Sequence, residues 1–477
     1  MALAFRSCLH SEAQSSLISK YPYGREKEIK DIQKLFPVSK SGTDAPTAAL
    51  TIPDPGIFGA LASDHKAETL PTIAECAIHL ELLEALEILQ QKVLTSNALD
   101  RAFGIVPKNK VQASWPRTRV VLKRDESFPE RRKVKWPIYL RFAATRFLEW
   151  WKCLDQMLIP TSQGGDGTVV DITEDSLPPL DVLIIWHAFL LNTTAYREFC
   201  EASGFPHRLD MQFPWPAIVT HIGAFDLFDT LSNHASHAPK FSTALKLLPH
   251  LPPTDSSPVA ETFFKSKSPV LRNFSSEPSP ETTPTAISTT ILRDMALRQT
   301  SFTSKMTNIL WLRSPAVSGT LTRAISRYQN FLTLFQDHDK QTQGPLVPTL
   351  DIDLAWHTHQ CSPSLYAAAC HQFTKTEKII GHDDGVEGDV LKDGFIDTRG
   401  RYEARFGEEY NPCLCWECEG LRDQVLFDRG GEDGVDFDRV AKGVLWKVKY
   451  YKAVELARRK GEQVPGWREI LDDDASS

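Results

Sequence analysis

The feature that most constrains the fold is a segment that occurs twice in the chain. Residues 177–200 and 347–370 align with one fixed offset and without a gap. The identical pairs are Pro178 and Pro348, Leu180 and Leu350, Asp181 and Asp351, Trp186 and Trp356, His187 and His357, Tyr196 and Tyr366, and Cys200 and Cys370. A Trp-His pair that returns with the same downstream Tyr and Cys indicates an internal duplication, so the same local structure is expected twice.

Each copy is predicted to form a helical hairpin. A proline-containing turn precedes Asp181 and Asp351, and an apolar run follows, which predicts that each aspartate caps the N-terminus of a helix. Ser362-Pro363 is typical of the start of a second helix. A similar aromatic stretch lies upstream of each copy, where Arg146, Phe147 and Trp150 match Arg327, Tyr328 and Phe331.

The predicted fold is therefore mostly α, with two related helical-hairpin halves that form a helical domain. A disordered linker rich in Ser, Pro and Thr joins them, because such a composition buries too little apolar surface to fold. The predicted division is a poorly ordered arm at 1–71, a first helical half at 72–245, the linker at 246–290, a second helical half at 291–412, and a Cys-rich turn with an amphipathic C-terminal helix at 413–477.

Composition excludes some partners. Lys and Arg number 54 against 61 Asp and Glu, which gives a formal net charge of −7 and no overall basic field for nucleic acid, so a protein partner is expected instead. The longest apolar run, Val182 to Leu191, has about half of the roughly 20 residues that a bilayer requires, so no membrane span is expected. The nine cysteines favour reduced thiols in the cytoplasm, with the nucleus as an alternative. Oligomeric state is left open.

Polar side chains concentrate in the second copy. The candidate binding residues are Asp353, Trp356, His357, His359, Tyr366, His382, Asp383 and Asp384. The first copy has Leu183 where the second has Asp353, and Phe189 where it has His359, so the first copy is interpreted as structural. On a helix, Asp353 can reach His357 four residues later and orient its ring, whereas His357 and His359 point to nearly opposite sides.

Two functions fit these residues. In a helical binding or regulatory module, the histidines are buried singly beside their helix partners. In a metal-dependent enzyme, His357, His382 and either Asp383 or Asp384 surround a common cleft that is open to solvent.

Three further thiols, Cys413, Cys415 and Cys418, fall within six residues. Thiolates at such spacing are typical ligands of zinc, and Cys370 or His382 are the candidates for a fourth ligand. Packed cysteines and redox-active cysteines are the alternatives. Zinc is accordingly the one cofactor that the sequence suggests.

The second copy also carries a resemblance. It rests on Asp351-Ile-Asp-Leu-Ala-Trp-His-Thr-His-Gln360, on Pro363, Tyr366 and Cys370, on Gly381-His-Asp-Asp384, on Phe395, Thr398 and Tyr402, and on Phe406-Gly-Glu-Glu-Tyr410. These residues resemble a family of uncharacterised domains found at the front of plant glycine-rich domain-containing proteins and in stand-alone fungal proteins. The resemblance covers roughly residues 70 to 410. It implies a mostly helical module of unknown biochemical activity, with plant members linked to stress and developmental responses. The chain has only 25 glycines and lacks the later glycine-rich region.

Overall fold

A computed structural model of the chain describes residues 57–58, 69–114, 119–157, 172, 177–222, 287–338, 344–375, 379–382, 385, 388–428 and 437–460. The described part is mostly α, as the sequence predicts, with one two-stranded antiparallel hairpin in addition. The hairpin lies in residues 108–135, a stretch rich in Lys and Arg whose sequence predicts a solvated connector.

The elements up to residue 222 are α1 (Ile73–Thr95), α2 (Asn97–Ala102), β1 (Lys110–Ser114), β2 (Arg119–Lys123), α3 (Phe128–Arg132), α4 (Lys135–Met157), α5 (Leu180–Leu190), α6 (Thr193–Ala202), a 3₁₀ turn (Pro206–Asp210) and α7 (Trp215–Ile222). After residue 286 the elements are α8 (Thr289–Ile309), a 3₁₀ turn (Trp311–Arg313), α9 (Val317–Thr333), a 3₁₀ turn (Leu334–Asp337), α10 (Leu350–Gln360), α11 (Pro363–Thr374), α12 (Gly388–Phe406), α13 (Trp416–Asp428) and α14 (Phe437–Lys460).

Helix α1 is shared by the two halves of the fold. It begins with a capping box, in which the amide of Glu75 donates to Thr72 Oγ1 at 3.2 Å and the amide of Thr72 donates to Glu75 Oε2 at 2.7 Å. Ile78 and Leu82 pack into the core of the first half, whereas Leu80 packs into the core of the second. Because α1 is covered on both sides, its residues from 74 to 86 are all buried.

Helix α8 follows the linker in sequence but packs mainly against α1, α4 and α5. Its Leu292, Met295 and Ala296 belong to the core of the first half, and Phe302 and Met306 belong to that of the second. The two halves therefore interlock through α1 and α8, rather than meeting as separate units.

The two predicted hairpins have matching boundaries. Helices α5 and α10 both begin at the Leu of the shared Pro-x-Leu-Asp segment, and each has 11 residues. Their capping residues are Pro179 and Thr349, so the prediction that Asp181 and Asp351 are caps is wrong.

Both aspartates bind arginines of the preceding aromatic helix instead. Arg146 Nε lies 2.7 Å from Asp181 Oδ2, and Arg327 Nε lies 2.7 Å from Asp351 Oδ2. The helix dipole also stabilises a carboxylate in the first helical turn. The same ion pair thus joins the aromatic helix to the hairpin in both copies.

The predicted arm and linker are described only in part, and the predicted C-terminal helix is present. Most of the predicted arm and linker lies outside the described residues, but Ile57 packs into the second core and α8 already begins at Thr289, inside the predicted linker. The amphipathic helix predicted at Phe437 to Lys460 is α14. Among the described helices, none combines the length and the apolar character that crossing a bilayer would require.

Two glycines of helix α12 have contrasting surroundings. A Cβ atom at Gly394 would lie 2.6 Å from the carbonyl oxygen of Pro345, whereas one at Gly400 would meet nothing within 4 Å. We expect Gly394→Ala to lower the free energy of unfolding by about 1–3 kcal/mol through overpacking. Gly400→Ala is expected to raise it by about 0.5–1 kcal/mol through helix propensity. Urea unfolding of both variants checks this, and equal effects would contradict the close contact with Pro345.

Candidate metal centre

Three ligand atoms converge where α10 meets the segment after α11. His357 Nε2 lies 3.2 Å from His382 Nε2, and each of these nitrogens lies 3.3 Å from Asp353 Oδ1. The three atoms form a nearly equilateral triangle. All three are groups that bind divalent transition metals, and two histidines with one carboxylate form a recurrent ligand set.

The size of the triangle fits tetrahedral coordination. Ligands about 2.0–2.1 Å from a tetrahedral zinc ion are about 3.3–3.4 Å apart. Cis ligands of an octahedral ion at the same bond length are only about 2.8–3.0 Å apart. The observed edges of 3.2 and 3.3 Å are closer to the tetrahedral value.

The triangle is largely shielded from solvent. The side chains of His357, Asp353 and His382 are 2%, 8% and 11% exposed. The ring of Phe302 covers His357 with a centroid distance of 4.3 Å. Burial, together with the neighbouring histidines, lowers the pKa of His357 well below its ordinary value, so its imidazole is neutral and can offer a lone pair.

Helical spacing places two of the three ligands, and hydrogen bonds of the repeated motif hold the segment that carries the third. Asp353 and His357 are four residues apart on α10 and therefore share a face. The segment that carries His382 is held by the Trp and Tyr of the repeated motif. Trp356 Nε1–H donates to Tyr366 Oη at 2.8 Å, and the Tyr366 hydroxyl donates to the carbonyl of Ile380 at 2.8 Å.

Among the residues that the structure describes, the other candidates do not join the triangle. His359 points the other way, as predicted, and its Nδ1 lies 3.0 Å from the Tyr328 hydroxyl. Burial lowers the pKa of His359 to about 3. Asp383 and Asp384 lie outside the described residues, and the carboxylate at the triangle is that of Asp353.

The first copy lacks counterparts of two of these ligands. Leu183 takes the position of Asp353, and Phe213 packs against Trp186 at 5.0 Å as His382 packs against Trp356 at 4.9 Å. The remaining histidine, His187, has its Nε2 2.9 Å from His79 Nε2.

His79, on α1, is a residue that the sequence analysis missed. The Thr358 hydroxyl donates to the carbonyl of Leu354 at 2.7 Å, so its oxygen accepts from His79 Nδ1–H at 2.8 Å. His79 Nε2 is then the acceptor for the Nε2–H of His187. The only available signal was a lone histidine within residues 73–89 of the helix, where the other residues are apolar or acidic.

The three thiols of Cys413, Cys415 and Cys418 also come together, with all three sulfurs within 4.8 Å of one another. Cys370 is not among them, because it is buried in the second core. Hydrogen bonds with Cys413 and Cys415, and then burial, raise the pKa of Cys418. Three thiols in such contact do not ionise together unless a cation lies among them.

These observations define the class of the protein: it is mostly helical, and a Trp-His hairpin carries its candidate site. The family model described as "Glycine-rich domain-containing protein-like" matches residues 261–368, a range that includes Asp353 and His357 and ends before His382. This match, together with the similarity to two relatives, confirms the resemblance to the glycine-rich domain-containing protein family.

The two relatives are from Arabidopsis thaliana. Glycine-rich domain-containing protein 1 is 36% identical over 96 residues, which is 19% of this chain and 11% of that protein. Glycine-rich domain-containing protein 2 is 38% identical over 96 residues, 19% of this chain and 12% of that protein. The chain thus matches about a tenth of the length of either relative. No solved structure matches the chain.

Proposed function

We propose that this protein is a helical metal-binding module that holds one divalent ion, preferentially zinc, with Asp353, His357 and His382. The observation that carries the proposal is the triangle of ligand atoms with edges of 3.2 and 3.3 Å. The ion would join α10 to the segment after α11, so metal binding would be coupled to the conformation of the second hairpin. This gives the expected binding or regulatory module a specific ligand.

The same triangle supports a second candidate, a metal-dependent enzyme. Three protein ligands leave a fourth position of a tetrahedral ion for water or substrate, which is the arrangement of catalytic zinc sites. Asp383 and Asp384 follow His382 directly in the sequence and are candidates for a fourth ligand or a general base. A small anion such as azide distinguishes the two candidates, since it binds an ion with an exchangeable ligand and changes the visible spectrum of a cobalt-substituted protein.

The partner and location remain part of the proposal. The formal net charge of −7 favours a protein partner over nucleic acid. The cysteines that the structure describes are free thiols, and thiols persist in reducing compartments, which supports the cytoplasm, or alternatively the nucleus, as the place where the module acts.

The test compares two histidines of the same helix. His357→Ala removes a ligand, so we expect the purified chain to hold one metal ion fewer than the wild type, and its affinity for zinc to fall more than about 100-fold, beyond the usual effect of an outer partner. His359→Ala removes an equally buried imidazole that faces Tyr328, so the metal content should be unchanged. Elemental analysis and competition with a chromophoric chelator measure both quantities.

Asp353→Asn gives an independent check, because it keeps the shape of the side chain and removes only its charge. We expect it to weaken zinc binding while the far-ultraviolet circular dichroism stays that of the wild type. Unchanged metal content in both His357→Ala and Asp353→Asn would refute the proposed function.

A further inference from the structure

The thiols of Cys413, Cys415 and Cys418 form a second cluster, separate from the triangle. Cys413 Sγ lies 3.4 Å from Cys415 Sγ, and all three sulfurs are within 4.8 Å of one another. A disulfide requires a sulfur–sulfur distance of about 2.05 Å, so this pair is not bonded. Thiolates about 2.3 Å from a tetrahedral zinc ion are about 3.8 Å apart, which falls within the observed range.

The backbone around the thiols is fixed by two buried tryptophans. Trp311 Nε1–H donates to the carbonyl of Leu414 at 3.0 Å, and Trp416 Nε1–H donates to the carbonyl of Ile309 at 2.8 Å. Arg422 Nη1 donates to the carbonyl of Cys413 at 2.6 Å. The three thiols are therefore brought together by the fold itself, and a metal ion would find its ligands already arranged.

The electrostatic surroundings suit thiolates. Cys418 lies in the first turn of α13, where the helix dipole stabilises negative charge. The guanidinium of Arg422 donates to the carbonyl of Cys413 and also pairs with Glu419 at 2.5 Å, so its charge is largely matched within the protein. Three thiolates with one divalent ion leave a net charge of −1, which the N-terminal end of the helix dipole favours.

We propose that Cys413, Cys415 and Cys418 bind a second zinc ion as thiolates, with the fourth position occupied by water or by a small exogenous thiol. Binding one Zn²⁺ releases the three thiol protons and changes no oxidation state. Among the described residues, no fourth Cys, His, Asp or Glu belongs to this cluster, so Cys370 and His382 are not its ligands.

The site would fasten the C-terminal helices to the second half of the fold. Helices α13 and α14 pack on each other, and α14 also packs on the 3₁₀ turn at Trp311–Arg313. The thiols lie at the start of this pair, between the turn after α8 and α13. Loss of the ion should therefore loosen helices α13 and α14 more than the triangle at α10.

The test uses the full chain loaded with cobalt in place of zinc, because thiolate ligands give an intense charge-transfer absorption in the ultraviolet that imidazole and carboxylate do not. We expect Cys415→Ser to abolish this absorption and to remove one metal ion per chain. Cys370→Ala is the matched control and should keep both. His357→Ala should keep the charge-transfer absorption while it loses the ion of the triangle, so the two sites fail separately.

Reaction with a thiol reagent provides a measurement on the wild-type chain. Because no residue is replaced, a folding defect of a variant cannot affect the result. The three thiols should react only after a chelator is added, and hydrogen exchange in helices α13 and α14 should then rise. Absence of the charge-transfer absorption, its persistence in Cys415→Ser, or isolation of the metal-free chain with a Cys413–Cys415 disulfide under reducing conditions would overturn the proposal.

Discussion

Replacing Arg313 with methionine is expected to lower the free energy of unfolding by about 3–5 kcal/mol, the cost of leaving buried charges without their counterion. Arg313 Nη1 lies 3.0 Å from Glu81 Oε1, and Nη2 lies 3.2 Å from Glu84 Oε2. Glu455 Oε2 lies 3.9 Å from Arg313 Nε. All four side chains are buried, so the methionine would leave three carboxylates in a region that water does not reach.

The carboxylates keep Arg313 charged. Although burial opposes the charged form, the neighbouring carboxylates Glu81 and Glu84 outweigh it and raise the pKa of the guanidinium above its ordinary value. The network also has a structural consequence. It joins α1 to the 3₁₀ turn and to α14, which are far apart in sequence, so the loss should separate the C-terminal helix from the core.

Urea unfolding measures the change, and a surface arginine provides the control. Arg399 lies 4.0 Å from Glu403 on α12, and both side chains are about half exposed. Arg399→Met should change the free energy of unfolding by less than about 0.5 kcal/mol. Adding Glu81→Gln and Glu84→Gln to Arg313→Met should restore part of the stability. A loss below about 1 kcal/mol in Arg313→Met would contradict the proposed role of the network.

Local patterns predicted the helices well. The hairpin boundaries follow from a proline turn, an apolar run and Ser362-Pro363, all of which act over a few residues. Asp353 and His357 share a face because the helical period places them one turn apart. One wrong prediction concerned Asp181 and Asp351, which fitted a cap but bind arginines in another helix. Capping and ion pairing both favour an acidic residue at a helix start, so the local sequence does not distinguish them.

Contacts over long sequence separations were not predictable from the single sequence. His79 and His187 are 108 residues apart, and nothing in the spacing of α1 indicates that His79 faces another histidine. The packing of α8 against α4 and α5 likewise depends on the three-dimensional arrangement of several helices. Such contacts require that many apolar faces be matched at once, whereas helix periods depend on one segment at a time. The candidate triangle is intermediate, since two of its ligands are local and His382 is not.

The buried histidine pair should make the protein sensitive to acid. Burial lowers the pKa of His187 to about 4, and burial together with His187 lowers that of His79 well below its ordinary value. In the unfolded chain both pKa values return to about 6.5. Between about pH 6.5 and about pH 4 the unfolded chain therefore binds up to two more protons at these positions than the folded chain, and stability falls as the pH falls.

For two protons the slope of unfolding free energy against pH approaches about 2.7 kcal/mol per pH unit in this window, so the stabilisation is fully present above about pH 6.5 and is progressively lost below it. His187→Gln keeps a hydrogen-bond donor for His79 but removes one titrating group, so the slope of unfolding free energy against pH should fall by about 1.4 kcal/mol per pH unit in this window. His371 is exposed, so His371→Gln removes no buried imidazole and serves as the control for the substitution itself.

Urea unfolding at several pH values between about 7 and about 5 gives these slopes, and the comparison between variants removes contributions from other groups. The direction of the effect is the decisive point. A His187→Gln variant that is less stable than the wild type at neutral pH but loses less stability on acidification would support the neutral pair. If the wild type gained stability on acidification, or if His187→Gln kept the full slope, the His79–His187 hydrogen bond would have to contain a charged imidazole instead.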